Sequence, residues 1–198
     1  MNRRTTGKGA GQLRERVRRG ASHASSATPP AARNDDQREF PAYPRVGVGG
    51  VVIDRDRVLL VRRGREPLKG KWSIPGGLVE VGESLAGAVR REVKEETGLE
   101  VEPLETIGIF ERILPARTGG GRGRSPGRIR YHYILIDYAC HLATGAQLRR
   151  PGSTRVLPKA ASDATEARWV TREELARYRL TPQTHELILK AFRGSGGG

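Results

Sequence analysis

Hydrophobic residues in this chain follow two periodic patterns, one typical of strands and one typical of helices. Runs that alternate polar and apolar residues, or that are rich in β-branched residues, predict strands. The predicted strands are 45–54, 57–63, 101–114, 130–141 and 166–170. Apolar residues that recur every three or four positions predict helices at 84–97, 173–178 and 180–192. Helices interleaved with strands, two of which form a hairpin, predict an α/β fold with a mixed sheet between helices.

Two of the predicted strands carry more specific expectations. In the strand 101–114, Ile107, Ile109 and Glu111 are expected along one side, because alternate residues of a strand share a face. The strand 130–141 is rich in aromatic and aliphatic residues on both faces. This composition predicts a central position in the sheet, covered on both sides.

The helix 84–97 carries three glutamates near its C-terminal end, Glu92, Glu95 and Glu96. At about 100° per residue, their side chains share roughly one third of the helix circumference. Carboxylates this close repel each other unless a cation lies among them, and this acidic face is expected to stay open. Just upstream, two glycines predict a tight turn at which the Gly76 carbonyl can join the carboxylates. Such an oxygen-only ligand set favours Mg²⁺ or Mn²⁺ over zinc.

The segment 77–99 resembles the signature of the Nudix (MutT-like) hydrolases, G-x5-E-x7-REUxEExGU, in which U is an aliphatic residue. The matching residues are Gly77, Glu83, Arg91, Glu92, Val93, Glu95, Glu96, Gly98 and Leu99. A match of this length is far more specific than a short glycine motif. The resemblance implies a Nudix-type α/β/α sandwich with a mixed sheet, and mainly structural roles for Glu83 and Arg91.

The resemblance also implies an enzyme activity: the chain is expected to be a Nudix pyrophosphohydrolase, which acts on phosphorus-containing acid anhydrides. A divalent ion held by Gly76, Glu92, Glu95 and Glu96 would neutralise a pyrophosphate and lower the pKa of a bound water. The expected substrate is a nucleoside diphosphate linked to another group, with ADP-ribose or a related nucleotide as the first choice. Glu92 and Glu95 are the predicted catalytic residues, and Glu95 is either a further metal ligand or the general base.

The general base has other candidates, because the family places it in the helix in some members and in a later loop in others. Asp163 and Glu166 are the late-loop candidates, although Glu166 more simply begins a strand. His132, in a predicted strand beside tyrosines, is expected to be a packed or hydrogen-bonded core residue. Cys140 is the single cysteine, which excludes an internal disulfide, and it is expected to be a buried, inert thiol.

Substrate binding is predicted at three arginines and one tryptophan. Arg62, Arg63 and Arg65 follow the second predicted strand, a short loop before the glycine turn. Guanidinium groups match phosphate oxygens, although a solvated strand end would have the same composition. Trp72 is predicted to stack on a base or sugar, and its alternative is a position in the core beside Ile74.

Charge divides the chain into segments. The net charge is +14, and residues 1–40 and 115–130 each contribute +5. Residues 1–42 are predicted to be a disordered basic tail, 43–193 the Nudix domain and 194–198 a flexible end. The tail and the Arg-rich loop before residue 130 are expected to attract polyanions weakly and without sequence preference. The tail is either a targeting peptide or only an extension.

The remaining predictions concern location, partners and alternative functions. A single cysteine and the lack of a long apolar run predict a cytoplasmic protein without membrane contact, whose partner is a small nucleotide. The oligomeric state is open, with a homodimer as one option. Two other functions fit: an RNA 5′-pyrophosphohydrolase that grips RNA with its basic segments, and a non-catalytic Nudix-like nucleotide sensor.

Overall fold

The computed structural model describes residues 38–116, 128–143 and 157–195. Its elements are β1 (Arg45–Asp54), β2 (Arg57–Arg63), β3 (Trp72–Ser73), β4 (Gly76–Leu78), α1 (Leu85–Thr97), β5 (Val101–Pro115), β6 (Ile129–Leu142), β7 (Ala164–Thr171), a 3-10 helix (Arg172–Tyr178) and α2 (Pro182–Ser195). The predicted strands and the first and last helices are confirmed. The predicted middle helix is a 3-10 helix instead.

The strands form one mixed sheet in the order β3-β2-β1-β6-β5, with β4 paired to β1 and β7 paired to β2. Strand β1 runs parallel to β6 and antiparallel to β2 and β4. Strand β6 lies between β1 and β5, so its predicted central position is confirmed. The α/β prediction with a mixed sheet is also confirmed.

The two helices cover opposite faces of the sheet. In β1, Val52 packs in an apolar cluster with Val93 of α1, whereas its neighbour Val51 packs in a second cluster with Ile188 of α2. Successive strand residues point to opposite faces, so β1 is buried between the helices. Gly50 allows α1 to lie close, because a Cβ at this position would be only 3.1 Å from Val93.

The expectation that Ile107 and Ile109 share a side of β5 is wrong. Ile107 is 7 % exposed, whereas Ile109 is 68 % exposed. The pairing of β5 with β6 shifts register between Thr106 and Gly108, so Ile107 is an extra residue in the strand. Such a bulge breaks the alternation of faces, and Ile107 joins Phe110 in the apolar cluster under α2.

Residues 38–42 belong to the predicted tail, and two of them contact β6. The Glu39 carboxylate accepts hydrogen bonds from Arg130 and Tyr131, both at 2.7 Å. The Phe40 amide donates to the Arg130 carbonyl at 2.7 Å. The rest of the predicted tail, most of the Arg-rich loop and the last three residues lie outside the described residues. Within the described residues, no helix combines the length and apolar character needed to cross a membrane.

Candidate functional site

The acidic helix α1 is positioned by signals at both of its ends. The Ser84 hydroxyl accepts a hydrogen bond from the Gly87 amide at 3.1 Å, which caps the first turn. Gly98 ends the helix with a φ of 70°, and its amide donates to the Lys94 carbonyl at 2.8 Å. These caps fix where α1 begins and ends, and the packing of Val89 and Val93 in the core fixes which glutamates face the glycine turn.

A cavity of about 380 Å³ lies beside this helix and the glycine turn. Of the predicted site residues, those that line it are Arg63, Arg65, Trp72, Gly76, Glu92 and Glu96. Two predicted site residues, Arg62 and Glu95, are not among the lining residues. The structure therefore brings together most of the predicted site, which the sequence distributes over more than thirty positions.

Glu96 is buried against the glycine turn, with an exposed fraction of 6 %. Its carboxylate accepts a hydrogen bond of 3.0 Å from the Gly76 amide. The pKa of Glu96 is raised to about 7, mainly by burial and also by the charges of Glu92 and Asp163, while the Gly76 hydrogen bond and Arg63 oppose the rise. The expectation that the whole acidic face stays open is therefore wrong, because one side of it packs on the turn.

Glu92 lies on the same side of α1, with 14 % of its side chain exposed. Burial raises the pKa of Glu92, and a hydrogen bond of 2.8 Å from Arg91 opposes that rise. A Cβ on Gly77 would overlap the Glu92 carboxylate, so glycine at position 77 leaves the space that this carboxylate occupies. The first glycine of the signature and its first helical glutamate are thus in direct contact.

Arg91 ties the helix to the segment that precedes it. Its guanidinium donates to the Glu83 carboxylate at 2.9 and 3.0 Å and to the Leu78 carbonyl at 3.0 Å. These contacts raise the pKa of Arg91 and lower that of Glu83, so both groups stay charged. The arrangement matches the structural roles that the resemblance implies for both residues.

Glu95 lies beside Glu92 on the exposed side of α1, and it is not among the residues that line the cavity. Half of its side chain is exposed, and the guanidinium of Arg91 lies 3.5 Å from its carboxylate. Within the ranges that the structure describes, no three His, Cys, Asp or Glu side chains are grouped to hold a metal ion. Glu92 and Glu96 therefore share the cavity wall, while Glu95 is joined to Glu92 through Arg91 at its exposed edge.

The pair formed by Glu92 and Glu96 nevertheless fits a hard divalent ion. Glu96 is buried and Glu92 is mostly buried, and burial raises the pKa of both carboxylates. Mg²⁺ is usually bound through one or two carboxylates, with water and substrate phosphates completing its shell. A third carboxylate is therefore not required for a magnesium site of this kind.

The predicted arginines divide into two groups. Arg63 lines the cavity, with its Nε donating to the Pro67 carbonyl at 3.2 Å, and Arg65 lines it while pairing with Asp163 at 3.0 Å. Arg62 instead pairs with Glu166 at 2.8 Å, outside the cavity wall. This difference follows from strand alternation, since neighbouring residues at the end of β2 point to opposite faces.

A model of the NUDIX domain matches residues 43–191 of the chain. The chain belongs to the Nudix family. It is 32% identical to the ADP-ribose pyrophosphatase of Methanocaldococcus jannaschii over 151 residues, which cover 76% of this chain and 73% of that relative. It is 33% identical to a putative ADP-ribose pyrophosphatase of Bacillus subtilis over 102 residues, 52% of this chain and 43% of that one.

The fold of this Nudix protein is similar to that of a MutT Nudix hydrolase from Burkholderia pseudomallei. The two share 25% identity with a TM-score of 0.54, over 74% of this chain and 97% of that structure. The predicted Nudix-type sandwich is therefore confirmed. The predicted class, a Nudix pyrophosphohydrolase, is confirmed by the family and by the relatives.

Trp72 of the Nudix domain has the core contacts that its alternative role predicts, and it is also accessible from the cavity. Its ring meets that of Tyr178 edge to face, with centroids 5.0 Å apart, and it packs on the apolar cluster under α2. It also forms part of the cavity wall. Base stacking on Trp72 stays a prediction.

The two late-loop acids differ in position. Asp163 lines the cavity and pairs with Arg65 at 3.0 Å and with Arg38 at 3.8 Å. Glu166 lies outside the cavity wall, and its hydrogen bonds with Arg62 and Arg168 lower its pKa. Of the two, only Asp163 is placed to act on a ligand in the cavity.

His132 and Cys140 are placed as expected for structural residues. His132 lies 3.0 Å from the Glu111 carboxylate, outside the cavity wall. Cys140 is buried, and burial raises the pKa of its thiol to about 12. The expected burial of Cys140 is confirmed, and its inert role stays a prediction that agrees with this burial, because a thiol that stays protonated is a poor nucleophile.

Sequence analysis missed Asp137 on β6, which lines the cavity with an exposed fraction of 9 %. Burial raises the pKa of Asp137 to about 6, and the charge of Arg112 opposes the rise. An acidic residue in the middle of an apolar strand is the signal that indicates such a site. The strand was interpreted only as core, so this signal was not used.

Proposed function

We propose that this Nudix protein hydrolyses the pyrophosphate bond of a nucleoside diphosphate linked to another group, with Mg²⁺ or Mn²⁺ as cofactor. The proposal depends on one observation above all. The buried carboxylate of Glu96 and the mostly buried carboxylate of Glu92 share a cavity with cationic side chains that include Arg63 and Arg65. Hydrolysis of a diphosphate requires carboxylates that hold a metal ion, and next to them cationic side chains that bind the phosphate oxygens.

Glu92 and Glu96 would hold the ion, and the Gly76 carbonyl and Glu95 remain further predicted ligands. When bound, the ion supplies charge neutralisation for the diphosphate and a water of lowered pKa. Mn²⁺ takes the same oxygen ligands as Mg²⁺, so the geometry favours neither ion.

The protein's own side chains have separate tasks in this proposal. Arg63 and Arg65 bind phosphate oxygens and stabilise the charge that develops on the leaving phosphate. Arg91 positions Glu92 through the 2.8 Å hydrogen bond. Asp163 on the cavity wall and Glu95 on the exposed side of α1 are both candidates for the general base that takes the proton from water.

ADP-ribose is the first choice of substrate, because two relatives bear that activity in their names. The sensor alternative is weaker, since a module that only binds nucleotides does not need two desolvated carboxylates in its cavity. The RNA alternative depends on basic segments that mostly lie outside the described residues. A cytoplasmic location, a homodimer and weak polyanion binding stay predictions.

The test is a panel of nucleotides with Mg²⁺, assayed on the native chain and on two Glu→Gln variants. Glu96→Gln removes a metal ligand, and activity toward ADP-ribose is expected to fall by about 100-fold. Glu111→Gln is the matched control, because Glu111 contacts His132 outside the cavity wall, and it is expected to keep native activity. Full activity in Glu96→Gln, or no hydrolysis of any nucleotide in the panel by the native chain, would overturn the proposal.

A further inference from the structure

Asp137 carries a charge that the proposed hydrolysis does not use. Its side chain is about nine-tenths buried and faces the cavity. In the part of the chain that the structure describes, it forms no hydrogen bond and no ion pair. A buried carboxylate without a partner lowers stability, and such groups are concentrated at sites that bind ligands.

Asp137 occupies space that a glycine on the neighbouring strand β1 leaves free. Gly49 of β1 and Gly108 of β5 are its partners across the sheet. A Cβ at Gly49 would overlap the Asp137 carboxylate and the end of Ile74. The carboxylate is therefore accessible from the cavity although the strand that carries it is central.

A cation and apolar side chains complete this end of the cavity. Arg112 lies on the cavity wall, and its charge lowers the pKa of Asp137, although the two form no ion pair. Phe110 and Leu135 face each other across β5 and β6 and line the same cavity, as does Ile74. An apolar wall with one acceptor and one donor suits a flat heteroaromatic ring better than a sugar or a phosphate.

The position of Asp137 relative to the carboxylate pair also suits a nucleotide. Gly49 pairs with Gly76 on one side and with Asp137 on the other. Two strand spacings therefore separate Asp137 from the glycine turn, or about 10 Å. In a nucleotide, the ribose spans a comparable distance between the base and the first phosphate.

We propose that Asp137 determines base specificity by accepting a hydrogen bond from the 6-amino group of an adenine base, while Arg112 donates to a ring nitrogen. This inference rests on the proposed function, because it assumes that the phosphates lie at Glu92 and Glu96. A carboxylate accepts from the amine of adenine but repels the carbonyl oxygen that hypoxanthine has at the same place. When Arg112 donates to N1 of the ring, hypoxanthine, whose N1 carries a hydrogen, presents a donor there instead of an acceptor, so the native site is expected to discriminate AMP from IMP.

The test measures dissociation constants by calorimetry for AMP, IMP and purine riboside monophosphate, which lacks the 6-substituent. For the native chain, AMP is expected to bind about tenfold or more tightly than either analogue, as a hydrogen bond to a charged group provides. In Asp137→Asn, the new amide donates to the carbonyl of IMP, so the preference for AMP is expected to vanish or reverse. Arg112→Gln is expected to raise the dissociation constant of AMP at least several-fold.

Glu111→Gln is the control, because Glu111 lies on the same strand as Arg112 but outside the cavity wall. It is expected to keep the native ratio of AMP to IMP affinity. Equal binding of AMP and IMP by the native chain, or an unchanged ratio in Asp137→Asn, would overturn the inference. Because these ligands are not hydrolysed at an anhydride, the binding result is independent of whether ADP-ribose is a substrate.

Discussion

The backbone amide of Gly76 and the carboxylate of Glu96, twenty residues apart, are joined by a hydrogen bond of 3.0 Å. The bond holds the C-terminal end of α1 against the glycine turn and keeps a buried carboxylate at the cavity wall. Every chemical role proposed for the glutamates depends on this contact. It also connects metal binding to the stability of the fold, because the ion would bind a carboxylate that burial makes costly to ionise.

Mg²⁺ is expected to stabilise the native chain in the absence of nucleotide. An ion that binds only the folded state at 100 times its dissociation constant adds about 2.7 kcal/mol, which corresponds to a rise in melting temperature of roughly 5–10 °C. Glu96→Gln is expected to lose most of this rise, and Glu111→Gln to keep it. Melting curves with and without Mg²⁺ check the prediction, and equal rises in all three proteins would contradict it.

Gly77→Ala is expected to reduce activity far more than stability. The added Cβ would overlap the Glu92 carboxylate, which lies at the end of a side chain that can turn aside. A displaced catalytic group of this kind lowers kcat by about 100-fold. Unfolding by urea is expected to change by only about 1 kcal/mol.

The control for this substitution is Gly194→Ala in α2. A Cβ at Gly194 meets no atom within 4 Å, so activity is expected to stay at the native level. Native activity in Gly77→Ala would show that Glu92 does not need its present position.

Arg63→Gln and Arg62→Gln are expected to have different effects, although the residues are neighbours. Arg63 lines the cavity, so its loss is expected to lower kcat/KM by about 10- to 100-fold, as a missing hydrogen bond to a charged phosphate does. Arg62 pairs with Glu166 at a partly exposed position, and its loss is expected to change stability by less than about 1 kcal/mol. Steady-state kinetics with ADP-ribose check the difference, and equal losses in both variants would be inconsistent with it.

The contribution of Asp137 to the stability of the native chain is expected to fall as pH rises through the titration of this carboxyl. Its pKa is raised from 3.8 to about 6, so between these values the folded chain keeps a proton at Asp137 that the unfolded chain has lost. This contribution therefore decreases across the window and levels off above it, by up to about 3 kcal/mol. Arg112 stays charged throughout this range, and Glu96 titrates in the same direction up to about pH 7.

Asp137→Asn isolates the contribution of Asp137, because the variant keeps every other titrating group. The stability of the variant relative to the native chain is expected to increase from pH 4 to pH 7. Urea unfolding at intervals of one pH unit measures this difference. A difference that stays constant with pH would contradict the raised pKa.

Local sequence was sufficient wherever a signal acts on its own neighbourhood. The bounds of β1 and β2 follow from two β-branched runs around a short turn, and α1 begins after Ser84 and ends at Gly98 because capping is a local interaction. The signature segment placed Glu92 and Glu96 together on one side of a helix, since helical geometry alone fixes that angle.

Tertiary structure decided which of these side chains meet the cavity. The angles on the helix do not tell which of Glu95 and Glu96 is buried, because burial depends on where α1 contacts the glycine turn. Likewise, the positions of Arg62 and Arg63 in β2 do not tell which of the two lines the cavity until it is known which face of the strand the cavity covers. Asp137 became a site residue only when β1 placed Gly49 beside it, which leaves room for its carboxylate at the cavity. Pairing between distant strands brings such residues together, and the periodicity of a single segment carries no information about its partners.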